Sequence, residues 1–372
     1  MKGAADVVIA DLEYICQNAS DELAEMAGTR VLVSGGGGFL GYYLVQAVLH
    51  WNRLNQSAPP IRVTIADSFI LGTPAWLGEL VGDSALRVVR HDVTIPLPTE
   101  VGDFEYVAHA ASIASPVYYR RYPIETMDAN VDGLRRMLDR ARGQTARGVP
   151  VRGFLFFSSS EVYGDPDPAH IPTPEEYRGN VSCTGPRACY DEAKRYGETV
   201  CVAFANAYGL PVKIVRPFNN YGPGMKLTDG RVVADLTRNV LRRENVILRS
   251  DGSPTRTFCY VADAIVGYYK VLVRGRTAQP YNIGVSAPEI SVRELGERIV
   301  ALARDLYGYR GKVVCTASDD PGYLTDSPRR RCPSIEKARR ELDYQPAIPL
   351  DEGLKRTLVW FSEQRAAEPV RP

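Results

Sequence analysis

Tyr190 and Lys194 stand four residues apart, as Y-x-x-x-K, inside a segment with helical periodicity. At that spacing the two side chains share one face, a turn apart. A free phenol ionises near pH ~10, and an ammonium within about 4–6 Å lowers such a group by roughly 1–3 units. Upstream, Ser158-Ser159-Ser160-Glu161-Val162-Tyr163-Gly164 closes an apolar run. A hydroxyl there, that of Ser159, reaches the same substrate oxygen as the tyrosine. Serine, tyrosine and lysine together point to oxidoreductase chemistry at an alcohol carbon.

A second set of residues suits a dinucleotide. The run Arg30–Ser34 leads into Gly35-Gly36-Gly37-Gly38-Phe39-Leu40-Gly41 and then into an amphipathic segment. Glycines let the chain turn sharply and approach a pyrophosphate, while the helix start offers free N–H groups and a positive dipole end. The glycines satisfy both G-x-G-x-x-G and G-x-x-G-x-x-G, so spacing alone does not choose a subclass. Asp67 ends the next strand-like run, where a carboxylate accepts from both ribose hydroxyls and repels a 2′-phosphate. NAD is therefore expected rather than NADP. Asp92, closing the third run, is a candidate adenine contact, and Ala110 and Ala111 leave room for cofactor beside the backbone.

These groups need elements to hold them. Strand-like runs at Arg30–Ser34, Arg62–Ala66, Leu86–Arg90, Phe104–Ala108, Phe154–Ser158 and Val212–Arg216 alternate with helical stretches at Tyr42–Trp51, Met127–Ala141 and Arg187–Ala207. Such alternation predicts an α/β fold with a Rossmann-type doubly wound parallel sheet. After Gly222-Pro223 the pattern loosens into helices at Arg231–Leu241, Val261–Val273, Val292–Leu306 and Leu354–Glu363. The expected domains are a helical extension over 1–28, an NAD-binding domain over 29–222 and a smaller α/β substrate-binding domain over 223–372. The last helix is expected to cross back to the first domain. The extension reads as a helix covering a domain edge or a dimer surface.

Composition bounds the partners. The 372 residues carry a formal net charge of +1, with Lys and Arg scattered, which argues against nucleic acid or an anionic membrane as partner. Apolar residues at 45% and charged residues at 24% are a globular balance. Seven cysteines show no C-x-x-C pair and four histidines are dispersed, so no metal is expected and the thiols read as reduced and buried. Acids at Asp6, Asp11, Glu13, Asp21 and Glu22 interrupt the N-terminal stretch, and a cytoplasmic protein is expected.

With these motifs in place, the chain resembles the extended short-chain dehydrogenases/reductases that modify nucleotide sugars. The resemblance rests on Gly35–Gly41, Ser158–Gly164, Tyr190 with Lys194, and Arg216-Pro217-Phe218-Asn219-Asn220-Tyr221-Gly222-Pro223. Within that family it looks most like the UDP-glucuronate decarboxylases. Gly185-Pro186-Arg187-Ala188-Cys189-Tyr190-Asp191-Glu192, Asp229-Gly230-Arg231-Val232-Val233 and Thr255-Arg256-Thr257-Phe258 carry that likeness, which runs from about Arg30 to Phe361. Related 4,6-dehydratases place Asp-Glu where Ser160-Glu161 stands, and simple C4 epimerases usually lack the Glu.

The resemblance implies that Tyr190, assisted by Ser159 and Lys194, takes the C4 hydroxyl proton of UDP-glucuronate while NAD takes the hydride. Tyr190 and Lys194 also contact the cofactor, beside Gly35, Gly38, Phe39, Leu40, Gly41, Asp67, Asp92 and Ala110. Glu161 and Arg331 fall at the decarboxylation step, Tyr119 and Arg187 at the uronate, and Asn219, Arg231 and Arg256 at the diphosphate and uridine. Which arginine binds and which assists chemistry stays open. A homodimer through Arg187–Ala207 and Met127–Ala141 is implied. Competing readings are C4 epimerisation of UDP-glucuronate, another nucleotide-sugar modification such as 4,6-dehydration, and a non-catalytic NAD-binding role. Departures from the decarboxylase pattern are Ser159 for Thr, Gly224 for Arg and Ser182-Cys183-Thr184 for Asn-Pro-Ile.

Overall fold

The computed structural model describes residues 3–317 and 325–367. Residues 1–2, 318–324 and 368–372 of the expected domains lie outside the described residues. Seven strands make one sheet: β1 (Arg30–Ser34), β2 (Arg62–Asp67), β3 (Leu86–Arg90), β4 (Tyr106–His109), β5 (Gly153–Phe157), β6 (Val212–Pro217) and β7 (Pro280–Ile283). Their order is β3-β2-β1-β4-β5-β6-β7, and every neighbouring pair is parallel. This is the expected doubly wound α/β sheet. β4 begins two residues later than its apolar run, at Tyr106, because its register is set against Val31 of β1. β7 went unread: Pro-Tyr-Asn-Ile carries no alternation, and only its pairing with Ile214–Pro217 makes it a strand.

The longer helices are α1 (Ala4–Asn18), α2 (Phe39–Leu54), α3 (Pro123–Ala146), α4 (Ala188–Tyr208), α5 (Val232–Leu241), α6 (Val261–Arg274), α7 (Val292–Tyr307) and α8 (Leu350–Ala367). Strand side chains alternate between faces, and β1 divides accordingly. Val31 and Val33 pack with Val45 and Val48 of α2 and Ile265 of α6. Leu32 packs with Leu134 and Met137 of α3 and Phe204 of α4. Burying both faces explains why β1, β4 and β5 are near-continuous apolar runs.

α1 sits inside this packing. Its Asp11 is fully buried and accepts hydrogen bonds from Tyr43 (2.5 Å), Tyr260 (2.6 Å) and Arg356 (2.7 Å), drawn from α2, the start of α6 and α8. A buried charge needs such partners. Tyr14 adds a 2.5 Å bond to Asp263. α8 reaches the nucleotide side through the Trp360–Tyr42 ring contact at 5.8 Å.

Beyond β6 the chain also builds short sheets. In one, Thr255–Arg256 is flanked by Ile290–Ser291 antiparallel and Arg330–Arg331 parallel, which aligns Arg256 with Arg331. The thiols correct the sequence expectation in part. Cys16, Cys201, Cys259 and Cys332 are buried and free, but Cys183 and Cys315 are exposed, since their loop and edge-strand positions give nothing to pack against. Among the described residues no helix is long and apolar enough to cross a membrane.

Candidate active site

The cofactor motif is a backbone construction. Gly35, at φ +73°, lies so close to the chain after β4 that a Cβ would fall 2.6 Å from Ala111. Gly41 meets the same limit, its would-be Cβ 2.1 Å from the carbonyl oxygen of Gly36. The loops after β1 and β4 therefore meet at the switch point of the sheet, where open α/β folds bind ligands. Ala110 closes the contact, donating to the Ser34 carbonyl at 3.0 Å. Gly38 stands at the N-terminus of α2 with no side-chain cap, so Phe39, Leu40 and Gly41 open the helix toward a phosphate. Asp67 has two tasks already: one oxygen accepts from Gly37 N at 2.9 Å, the other from Phe69 N at 2.7 Å. Asp92 is exposed and bound to Thr94, whose N and Oγ1 donate at 2.9 and 2.8 Å. This loop, whose close backbone approaches leave no room for a Cβ at Gly35 or Gly41, fits an NAD pyrophosphate and ribose.

At the ends of β5 and α4 the three serines divide their roles. Ser158 donates to Glu198 at 2.5 Å and is thereby committed to the interior. Ser159, also buried, accepts from Glu161 N at 3.2 Å, and its hydroxyl lies near enough to the Tyr190 phenol to pull its pKa down. Lys194 lies one turn along α4, its Nζ 5.6 Å from the Tyr190 ring centroid and donating to Phe157 O at 2.7 Å. Burial dominates the electrostatics of both groups. Burial pushes the Tyr190 phenol up to about 12, against which the Ser159 hydrogen bond and the Arg231 charge pull it down. Lys194 is itself brought down to about 7 by burial, so its own charge is costly to keep.

Glu161 is the centre of a buried charge cluster. Both its oxygens accept from Arg331, one of them at 2.6 Å, and Arg187 bonds the same carboxylate. Burial raises its carboxyl, but the two guanidiniums outweigh that and hold it well below the usual range. Arg187 also lies 3.6 Å from Asp191 and 5.8 Å from the Tyr119 ring centroid. Tyr119 stacks on Tyr190 at 5.0 Å and 11°, and its buried hydroxyl has no hydrogen-bond partner. Such an orphan inside a charged cluster marks a place for a ligand's oxygen.

The remaining expected residues divide. Arg231 pairs with Asp229 at 3.1 Å and lies 5.7 Å from the Phe39 ring centroid, between the glycine loop and Tyr190. Asn219, at φ +41°, spends its amide on Thr257 O at 2.8 Å. Arg256 donates to the carbonyls of Thr255, Pro328 and Arg329 at 2.7, 2.5 and 3.1 Å. Both therefore brace the backbone around the cluster.

Sequence reasoning missed the support beneath it. Glu198 receives Ser158 and a two-pronged pair from Arg216, at 2.8 and 2.5 Å. Arg216 continues to Tyr163 at 2.7 Å, and Tyr163 to Asn282 at 2.7 Å. Spacing held a signal: Glu198 is four residues beyond Lys194, on the same helix face. Asp191, four residues beyond Arg187, was missed in the same way.

Residues 31–284 match the NAD-dependent epimerase/dehydratase family. A UDP-glucuronic acid decarboxylase from Arabidopsis thaliana is 38% identical over 87% of this chain and 86% of its own length. Another from Xenopus tropicalis is 36% identical over 92% of this chain and 74% of its own length. Among solved structures, an epimerase from Methanothermobacter thermautotrophicus superposes with a TM-score of 0.76 at 28% identity, covering 93% of this chain and 96% of that one. A dTDP-glucose 4,6-dehydratase from Streptomyces venezuelae, solved with NAD, reaches a TM-score of 0.76 at 26% identity over 91% and 98% of the two chains. Glycine cradle, phenol–hydroxyl pair and family match converge: the chain belongs to the NAD-dependent epimerase/dehydratase family.

Proposed function

We propose that the protein decarboxylates UDP-glucuronate by way of C4 oxidation, giving UDP-4-keto-xylose and UDP-xylose. The observation that carries this reading is Glu161 clamped by Arg331 and Arg187 directly beside Ser159 and Tyr190. A site for neutral sugars has no need of two guanidiniums there, whereas a C6 carboxylate brought out of water does. The relatives named above act on UDP-glucuronic acid by name. Dehydration would need an acid at position 160 to expel a C6 hydroxyl, and Ser160 is a buried alcohol.

In this reading the residues of the glycine cradle, with Asp67, Asp92 and Ala110, hold NAD. NAD when bound accepts the C4 hydride and later returns it. Tyr190 takes the C4 hydroxyl proton and Ser159 holds the same oxygen. The C4 ketone is β to the carboxylate, so the C5–C6 bond breaks, CO2 leaves and the electron pair enters a C4–C5 enolate. C5 then gains a proton. Arg187 and Tyr119 hold the carboxylate and Glu161 with Arg331 acts at its departure, while Arg231, Asn219 and Arg256 face the nucleotide. A grip too tight on the carboxylate would slow its loss; Glu161, already occupying both arginines, competes with it.

A homodimer through α3 and α4 belongs to the same proposal, supported by the apolar side chains those helices expose, Ile124, Met127, Tyr196 and Tyr208. Sedimentation at micromolar concentration tests it. Exposed free thiols at Cys183 and Cys315 suit a reducing cytoplasm. The deciding experiment supplies NAD and UDP-glucuronate labelled with 13C at C6. Release of 13CO2 with UDP-xylose is expected; label retained in UDP-galacturonate would establish an epimerase instead.

A further inference from the structure

Asp191 follows Tyr190 on α4, is only 4% exposed, and supplies a second carboxylate to the Glu161 cluster. The two acids are not equivalent. Glu161 takes guanidinium N–H groups on both oxygens. Asp191 has a 3.6 Å ion pair with Arg187 Nε, and neither its Oδ1 nor that Nε has a hydrogen-bond partner. Several groups face it. Glu161 comes from the turn after β5, Arg187 from the start of α4, Arg331 from its short strand and Tyr119 from the helix Pro116–Arg121. Tyr190 and Cys189 come from α4 itself.

We propose that Asp191 takes up a proton when a sugar carboxylate joins this cluster, which makes uronate binding proton-coupled. The inference rests on the decarboxylase reading above. Without substrate, the two carboxylates face Arg187 and Arg331, with Arg256 alongside but committed to the carbonyls of Thr255, Pro328 and Arg329. A uronate adds a third carboxylate to a place largely shut off from water, which favours protonation of one of them. The proton settles where an anion is least well hydrogen-bonded, and that is Asp191. Burial and the neighbouring Glu161 charge already bring its carboxyl up to about 7, with Arg187 and Arg331 opposing. Once neutral, Asp191 relaxes its hold on Arg187, whose Nε–H is free to turn to the substrate. Asp191 is thus a positioning residue acting through Arg187. The chemistry needs the same count: the carboxylate departs as neutral CO2 and C5 gains hydrogen, so each turnover consumes one proton.

The test is calorimetric titration of the Tyr190→Phe protein with NAD+ bound, in which turnover of UDP-glucuronate is slowed enough to read binding. Repeating it in buffers of different ionisation enthalpy counts protons. UDP-xylose, lacking the carboxylate, controls for Lys194, which burial also brings down to about 7. At pH 8 the uronate should take up about one proton, at pH 6 far less, and UDP-xylose none. Adding Asp191→Asn should abolish the uptake. It should also leave Kd level between pH 6 and pH 8, where the Tyr190→Phe protein weakens about tenfold. Uptake that persists without Asp191, or a uronate count as flat as that of UDP-xylose, overturns the proposal. The second outcome needs no Asp191 variant and so stands even if that variant fails to fold. Release of 13CO2 by the unmodified protein tests the decarboxylase reading by itself. Its presence with no proton uptake removes only the role of Asp191.

Discussion

The two halves of the active site are built from opposite materials. The cofactor half is backbone: Gly35 and Gly41 leave no room for a Cβ, and the helix that follows is uncapped. The sugar half is side chain, with Asp191 and Arg331 buried and Glu161 and Arg187 largely covered beside them. The first is shaped mainly by sterics. The second is held by charge, each member depending on the others. A dinucleotide pyrophosphate is the same in every such enzyme and can be met by a fixed surface. A carboxylate that must be bound and then lost needs neighbours able to change partners.

Substitutions should separate the halves, and the largest effect falls where they meet. Tyr190→Phe should lower kcat by about 10³-fold, within the range for loss of a general base, with NAD affinity and Tm near those of the parent. NADH formation and CO2 release read the first, calorimetry the others. Glu161→Gln strips two buried guanidiniums of their partner and should cost about 3–5 kcal/mol, seen as a fall in Tm, with CO2 release lost. Gly41→Ala should instead weaken NAD by tenfold or more with a pH profile unchanged, since its methyl has no space at any pH. A charge substitution that left Tm intact, or a glycine substitution that NAD tolerated, would break the distinction.

Two smaller effects sharpen it. Lys194 has a folded pKa brought down to about 7, below its unfolded value near 10.4. Between those values the unfolded chain binds more protons, so stability contributed at this position rises with pH. Lys194→Met should therefore raise the Tm of the NAD-free protein most at pH 6, by a few degrees, with the gain shrinking toward pH 9. Smallest of all, Ser159→Thr adds a methyl that restricts χ1 and should move product from UDP-4-keto-xylose toward UDP-xylose, read by mass. An unchanged ratio removes Ser159 as a determinant of ketone retention.

The steric half was the more legible in the sequence, because glycines and a strand-ending acid announce themselves locally. Six strands could be read from β-branched runs, whereas Pro280–Ile283 could not, its pairing with β6 being purely tertiary. Ser159, Tyr190, Glu161, Arg187 and Arg331 were legible by spacing and resemblance. The resemblance put them at one site, but the direct pairing of Arg331 with Glu161, on a strand whose alignment with Arg256 is purely tertiary, was not legible. Asp191 was hidden by its neighbour: beside a tyrosine in Y-x-x-x-K, an aspartate reads as a solvated helix charge. The level to which burial drives Tyr190 and Lys194 has no expression in spacing at all.

Asp11 has a further consequence for how the protein is made. One of its oxygens is met by Arg356, some 345 residues later in the chain. On the ribosome, synthesis runs from the N-terminus, so the first helix emerges long before the arginine that neutralises its buried acid exists. The segment that carries Asp11 is thus translated well before its partner and is among the last to be secured.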